Sequence, residues 1–81
     1  MLPGYIFNVK RRGVMQDYVN ISADELREYF AGHHEQDYVL IDVRQVKEYA
    51  GGHIPGANLI PLAELSARMA ELPCDRDVIF Y

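Results

Sequence analysis

The chain has 81 residues, a formal net charge of −4, 49% apolar residues and 25% charged ones. Size and composition are those of one small globular domain, and the acidic balance excludes the basic stripe that a nucleic-acid surface needs. The cluster Lys10, Arg11 and Arg12 stands beside Gly13 and reads as a solvated turn.

The single cysteine, Cys74, has no partner for an internal disulfide, which fits a reducing, cytoplasmic location. No metal or cofactor is expected. His33 and His34 are adjacent, so in a helix or strand they point apart, and no second Cys or His falls at ligand spacing. The start "MLPGYIFNVKRR" places apolar residues before positive ones, the reverse of a signal peptide, and its apolar run is too short to span a bilayer. No membrane partner is expected.

Residues 1–17 form an arm. Pro3, Gly4 and Gly13 break structure, and "YIFNV" is either a stray strand or a segment packed on a partner. The domain proper spans 18–81. "YVNI" predicts a short strand. Ser22 and Glu25 have capping-box spacing, so a helix follows. Ala23, Leu26 and Phe30 form its apolar stripe, and Gly32 stops it. "YVLIDV" is a continuous apolar run, the pattern of a strand buried on both faces of a parallel sheet. "QVKEYAGG" predicts one or two helical turns ended by Gly51 and Gly52. "HIPGA" is loop, because Pro55 and Gly56 punctuate it. "NLI" is a short strand. "PLAELSARMAEL" is a helix with Leu62, Leu65, Met69 and Leu72 on one face, led by Pro61 and ended by Pro73. "CDRD" is a turn and "VIFY" a last strand.

The order β-α-β-α-β-α-β implies an α/β fold with a parallel sheet and right-handed crossovers. Function in such sheets lies beyond the carboxyl ends of the strands. The stretches "DVR", "HIPGA" and whatever follows Tyr81 belong to that edge.

On these residues the chain resembles the rhodanese (sulfurtransferase) homology domain. The matching pieces are Asp42-Val43-Arg44, Glu48-Tyr49, Gly52 to Ala57 in "GHIPGA", and Asn58 to Pro61. The resemblance covers roughly Tyr18 to Tyr81. It implies a rhodanese-like three-layer fold with a parallel sheet in the order 1-5-4-2-3, of which strands 1–4 and their crossover helices are expected in this chain. It also implies a catalytic cysteine in a loop after the fourth strand, so the nucleophile is expected to follow Tyr81. Such a thiolate, its pKa lowered by backbone amides and a helix N-terminus, takes a sulfane sulfur from a donor such as thiosulfate. It holds the sulfur as a persulfide and passes it to a thiol or cyanide acceptor. On this reading no catalytic residue lies within the 81, and the chain is expected to be the amino-terminal portion of the domain.

Four residues are expected to anchor loops at the active edge. Asp42 and Arg44, two apart at a strand end, leave on the same side and read as an ion pair or hydrogen-bond anchor that fixes the loops, with direct substrate contact as the alternative. His53 fastens the "HIPGA" loop rather than acting as a base. Glu48 stands where two-domain thiosulfate enzymes carry an anion-binding arginine, and a carboxylate there repels thiosulfate. Cys74, at the amino-terminal edge, is a turn residue.

The alternative is a non-catalytic rhodanese-like binding or regulatory module. A third reading borrows the fold's phosphatase and arsenate-reductase relatives, which use a longer loop after the cysteine. Without the fifth strand, "YVNI" is expected to lack a partner and "VIFY" to present an open apolar edge. A downstream domain or a partner chain is then expected to complete the sheet.

Overall fold

A computed structural model describes residues 6–12 and 18–81. Within the first of these stretches the side chains alternate: Phe7 and Val9 are buried, while Asn8 and Lys10 are half-buried. That period of two makes a strand with one apolar face, β1 (Ile6–Lys10). Four more strands follow: β2 (Tyr18–Ser22), β3 (Tyr38–Asp42), β4 (Asn58–Leu59) and β5 (Asp77–Phe80). Helices α1 (Ala23–Ala31), α2 (Val46–Gly51) and α3 (Leu62–Arg68) lie between them. The breaks expected at Pro3, Gly4 and Gly13 fall outside the described residues.

The sheet order is β2-β1-β5-β3-β4. Strand β3 pairs in parallel with β4 and with β5. Strand β1 pairs antiparallel with both β2 and β5, in a register that sets Asn8 opposite Asn20 on one side and Phe80 on the other. The fold class is therefore α/β as expected, but the sheet is not wholly parallel and holds five strands, not four. The four expected strands keep the relative order that the resemblance implies, and β1 occupies the place between the first and the fourth. "YVNI" has a partner after all, and the inner edge of "VIFY" is covered.

The physical reason is in β1 itself. An open slot beside β5 leaves backbone N–H and C=O groups unpaired next to the fully buried Ile79. The face of β1 that carries Phe7 and Val9 matches Ile79 and joins one core cluster with it. The antiparallel direction follows because β1 reaches β2 through a short connection, and a hairpin, unlike a crossover, reverses the chain.

Helix α1 begins with the predicted capping box: Glu25 N–H donates to Ser22 Oγ at 3.2 Å, and Ser22 N–H donates to Glu25 Oε1 at 2.9 Å. The last predicted helix is shorter than expected. It runs as α-helix to Arg68 and tightens into a 3-10 turn over Met69–Glu71, a common way for a helix end to satisfy its last carbonyls. Two apolar clusters fill the layers. Phe7, Val9, Leu40 and Ile79 pack with Leu26, Tyr29 and Phe30 of α1 on one face. Ile41, Val78 and Phe80 pack with Leu65 of α3 on the other. The alternation of Val78, Ile79 and Phe80 between the two clusters is the pleat of a strand buried on both sides.

Candidate functional site at the carboxyl edge

The ladder continues past the formal strand ends. Tyr81 N–H donates to the Ile41 carbonyl at 3.0 Å, and Val43 N–H donates to the Tyr81 carbonyl at 2.7 Å. On the other side of β3, Ile60 N–H donates to the Asp42 carbonyl at 3.0 Å and Leu62 N–H to the Val43 carbonyl at 2.9 Å. Backbone bonds thus carry Asp42, Val43 and Tyr81 to the carboxyl edge in fixed positions.

Asp42 closes β3 with its side chain fully buried. A buried carboxylate needs hydrogen-bond donors, and Arg44 supplies them. Arg44 N–H donates to Oδ1 at 2.9 Å, Nε lies 3.0 and 3.1 Å from the two oxygens, and Nη2 donates to Oδ2 at 2.8 Å. Burial pushes the Asp42 carboxyl up; the hydrogen bonds from Arg44 and Tyr81, together with the Arg44 charge, outweigh that push and hold it below the ordinary value. The same hydrogen bonds to Asp42 hold Arg44 charged, with its pKa raised against the opposing effect of desolvation.

Arg44 also reaches across the edge. Its Nη2 donates to the Gly52 carbonyl at 2.6 Å, just beyond the end of α2. Gly52 sits at φ 151° and Gly56 at φ 86°, backbone conformations that L side chains rarely adopt. The chain can therefore turn out of α2 and back into β4 over five residues, His53 to Ala57. Within that loop Ala57 N–H donates to the Ile54 carbonyl at 3.0 Å. Tyr49 Oη donates to the Ala57 carbonyl at 2.8 Å.

His53 lies flat on Tyr49, with ring centroids 3.7 Å apart and planes 7° apart. Its Nδ1 is 2.9 Å from the Tyr49 carbonyl oxygen. Glu48 turns back to the start of α2, where its Oε1 accepts Gln45 N–H at 3.2 Å. Of the four expected edge residues, the structure joins Asp42 and Arg44 directly, stacks His53 on α2, and uses Glu48 as a helix cap. Cys74 is exposed in the turn before β5, at the opposite edge of the sheet.

Tyr81 and Tyr49 are edge residues to which reading the sequence gave no role of their own. The Tyr81 hydroxyl accepts Ile54 N–H at 3.0 Å. Its ring centre lies 5.6 Å from the Arg44 guanidinium carbon and 5.8 Å from the Phe7 ring. Burial raises the Tyr81 phenol and the neighbouring Asp42 adds to it, while the Ile54 amide and Arg44 oppose. A signal for Tyr49 was present in its spacing of four residues from His53, one helical turn. Tyr81 carries no such local signal.

Among the described residues no helix is long and apolar enough to cross a membrane. No curated protein matches the chain. Residues 22–81 match the family model described as Rhodanese-like domain. With a strand, a capped helix and the Asp42–Arg44 edge all inside that match, the chain belongs to the rhodanese-like domain family.

Proposed function

We propose that this chain forms part of a rhodanese-type sulfurtransferase, with the nucleophilic cysteine following Tyr81. The observation that carries the reading is the position of Tyr81. It ends the central parallel pair at the carboxyl edge, hydrogen-bonded through its backbone to Ile41 and Val43 and framed by the Asp42–Arg44 pair and the His53–Ala57 loop. A thiolate attached there attacks the outer sulfur of thiosulfate. The sulfur–sulfur bond breaks, sulfite leaves with the electron pair, and a cysteine persulfide remains. Cyanide or a thiolate then attacks the terminal sulfur and releases the enzyme thiolate.

Arg44 has its Nε and Nη2 spent on Asp42 and Gly52, which supports an anchoring role over direct contact with substrate. Glu48 adds a negative charge to α2 at the same edge, so a donor less anionic than thiosulfate suits the site. The test is thiocyanate formation from thiosulfate or an organic persulfide and cyanide, by the protein expressed from the complete gene. Turnover abolished by Cys→Ser at the position after Tyr81 is the expected result. A folded protein with no sulfur transfer from either donor would leave the binding-module reading in its place.

A further inference from the structure

We infer that Tyr81 is the positioning residue of the carboxyl edge, setting the gap between the end of β5 and the facing His53–Ala57 loop. Its bearing on sulfur transfer rests on the reading above; the geometry does not. The backbone of Tyr81 is fixed to β3 on both sides, by its N–H to Ile41 and its carbonyl to Val43. Its side chain reaches the opposite wall and accepts Ile54 N–H at 3.0 Å. One residue therefore holds both the strand end and the loop.

The loop's other hydrogen bonds run differently. The Tyr49 hydroxyl to Ala57 and His53 Nδ1 to the Tyr49 carbonyl tie it to α2, and Ala57 N–H to Ile54 ties it to itself. Arg44 to Gly52 fixes only its beginning. Tyr81 is the link from the middle of the loop to the central strand. Its ring centre lies 5.8 Å from the Phe7 ring and 5.6 Å from the Arg44 guanidinium carbon, and packing against both helps to position the hydroxyl. The phenol oxygen serves here as an acceptor, its lone pair taking the Ile54 amide proton.

The experiment is amide hydrogen exchange by NMR on the 81-residue chain and its Tyr81→Phe variant, which keeps the ring. Exchange of the Ile54 amide is expected to quicken by about two- to tenfold relative to the Leu26 amide in α1, the size of one lost hydrogen bond. Equal acceleration at both sites, or none at Ile54, would overturn the inference. Should the variant not fold, the unaltered chain decides. With tyrosine labelled at Cζ, the Ile54 amide shift is expected to follow the titration of the Tyr81 phenol. An Ile54 shift that ignores that titration refutes the link. In the complete protein, Tyr81→Phe is expected to lower kcat by about tenfold with little change in KM. Absence of turnover in the parent itself would count against the sulfurtransferase reading while leaving the exchange result standing.

Discussion

The two edges of the sheet are built on the same device and put it to different use. Glu28-Tyr29-Phe30-Ala31-Gly32-His33 ends α1, and Glu48-Tyr49-Ala50-Gly51-Gly52-His53 ends α2. In each, the histidine ring stacks on the tyrosine four residues earlier, at 3.9 Å in the first and 3.7 Å in the second. In each, His Nδ1 meets the tyrosine carbonyl, at 2.7 and 2.9 Å. The tyrosine hydroxyls part company. Tyr29 donates to Asp77 Oδ2 at 2.8 Å, at the start of β5, and Arg12 N–H donates to Asp77 Oδ1 at 2.8 Å. Tyr49 donates to a loop carbonyl, that of Ala57. The amino edge uses the device to fasten a helix and the exit of β1 to the sheet. The carboxyl edge uses it to tie down the loop that leads into β4, whose Gly52 and Ile54 ends are held by Arg44 and Tyr81. One helix stop thus serves stability in one place and site shape in the other.

The comparison breaks first at the strand both edges share. Phe7 is fully buried and touches Tyr81, so Phe7→Ala is expected to cost about 3–5 kcal/mol. That is enough to loosen both edges together in a urea melt. If unfolding is unchanged, β1 does not hold the sheet. Next comes the amino edge. Tyr29→Phe removes a hydrogen bond to a carboxylate at a half-exposed site and is expected to cost about 1–2 kcal/mol. Burial and Asp77 raise the Tyr29 phenol well above its ordinary value of 10.0. A raised phenol favours the protonated native state. Its contribution is complete below about pH 10 and is lost as pH rises toward the native value. The alkaline fall in stability is expected to be shallower in Tyr29→Phe, and melts at pH 9 and 11 would show a parallel fall if Tyr29 contributes nothing.

Arg44→Ala probes the carboxyl edge from the acid side. Asp42 sits below its ordinary 3.8, so it adds stability above that pH and loses it as pH falls through the native value. Removing Arg44 leaves burial opposed mainly by Tyr81 and the backbone. The rise in melting temperature as pH climbs from below 3 to about 4 is expected to be smaller in the variant. A variant that keeps the rise would mean that Arg44 does not set the Asp42 charge. The smallest effect is Tyr49→Phe, expected to cost about 0.5–1.5 kcal/mol, since its partner is a neutral carbonyl. A loss as large as that of Tyr29→Phe would erase the distinction between the edges.

Much of this was legible locally. The Ser22–Glu25 box, the apolar run of β3, the punctuation around Pro55 and Gly56 and the Asp42–Arg44 pair all act within a few residues, and local pattern reports local physics. The twin helix ends, a repeated Glu-Tyr-x-x-Gly-His, went unread, because a six-residue repeat hides among ordinary helix stops. What else escaped was long-range. Asp77 lies in "CDRD", which reads as a solvated turn, and nothing near it announces Tyr29. "YIFNV" reads equally as a stray strand or a segment packed on a partner, and its place between β2 and β5 depends on which slot the rest of the sheet leaves open. Tyr81 reads as the last apolar residue of a strand. Only the fold brings its hydroxyl to Ile54 and Asp42.

The placement of β1 has a consequence for the order in which the molecule assembles. Asn8 pairs with Asn20 nearby and with Phe80 near the far end of the sequence. The hairpin of β1 and β2 closes a short loop and forms on the microsecond scale. The pairing of β1 with β5 closes a far longer loop, from Asn8 to Phe80, an entropic cost that falls late and slows folding. On a ribosome the hairpin emerges early, with Phe7 and Val9 still waiting for the strand that covers them. Until β5 is synthesised, the most buried ring of the finished core is an exposed one, and that interval is when this chain is most open to aggregation.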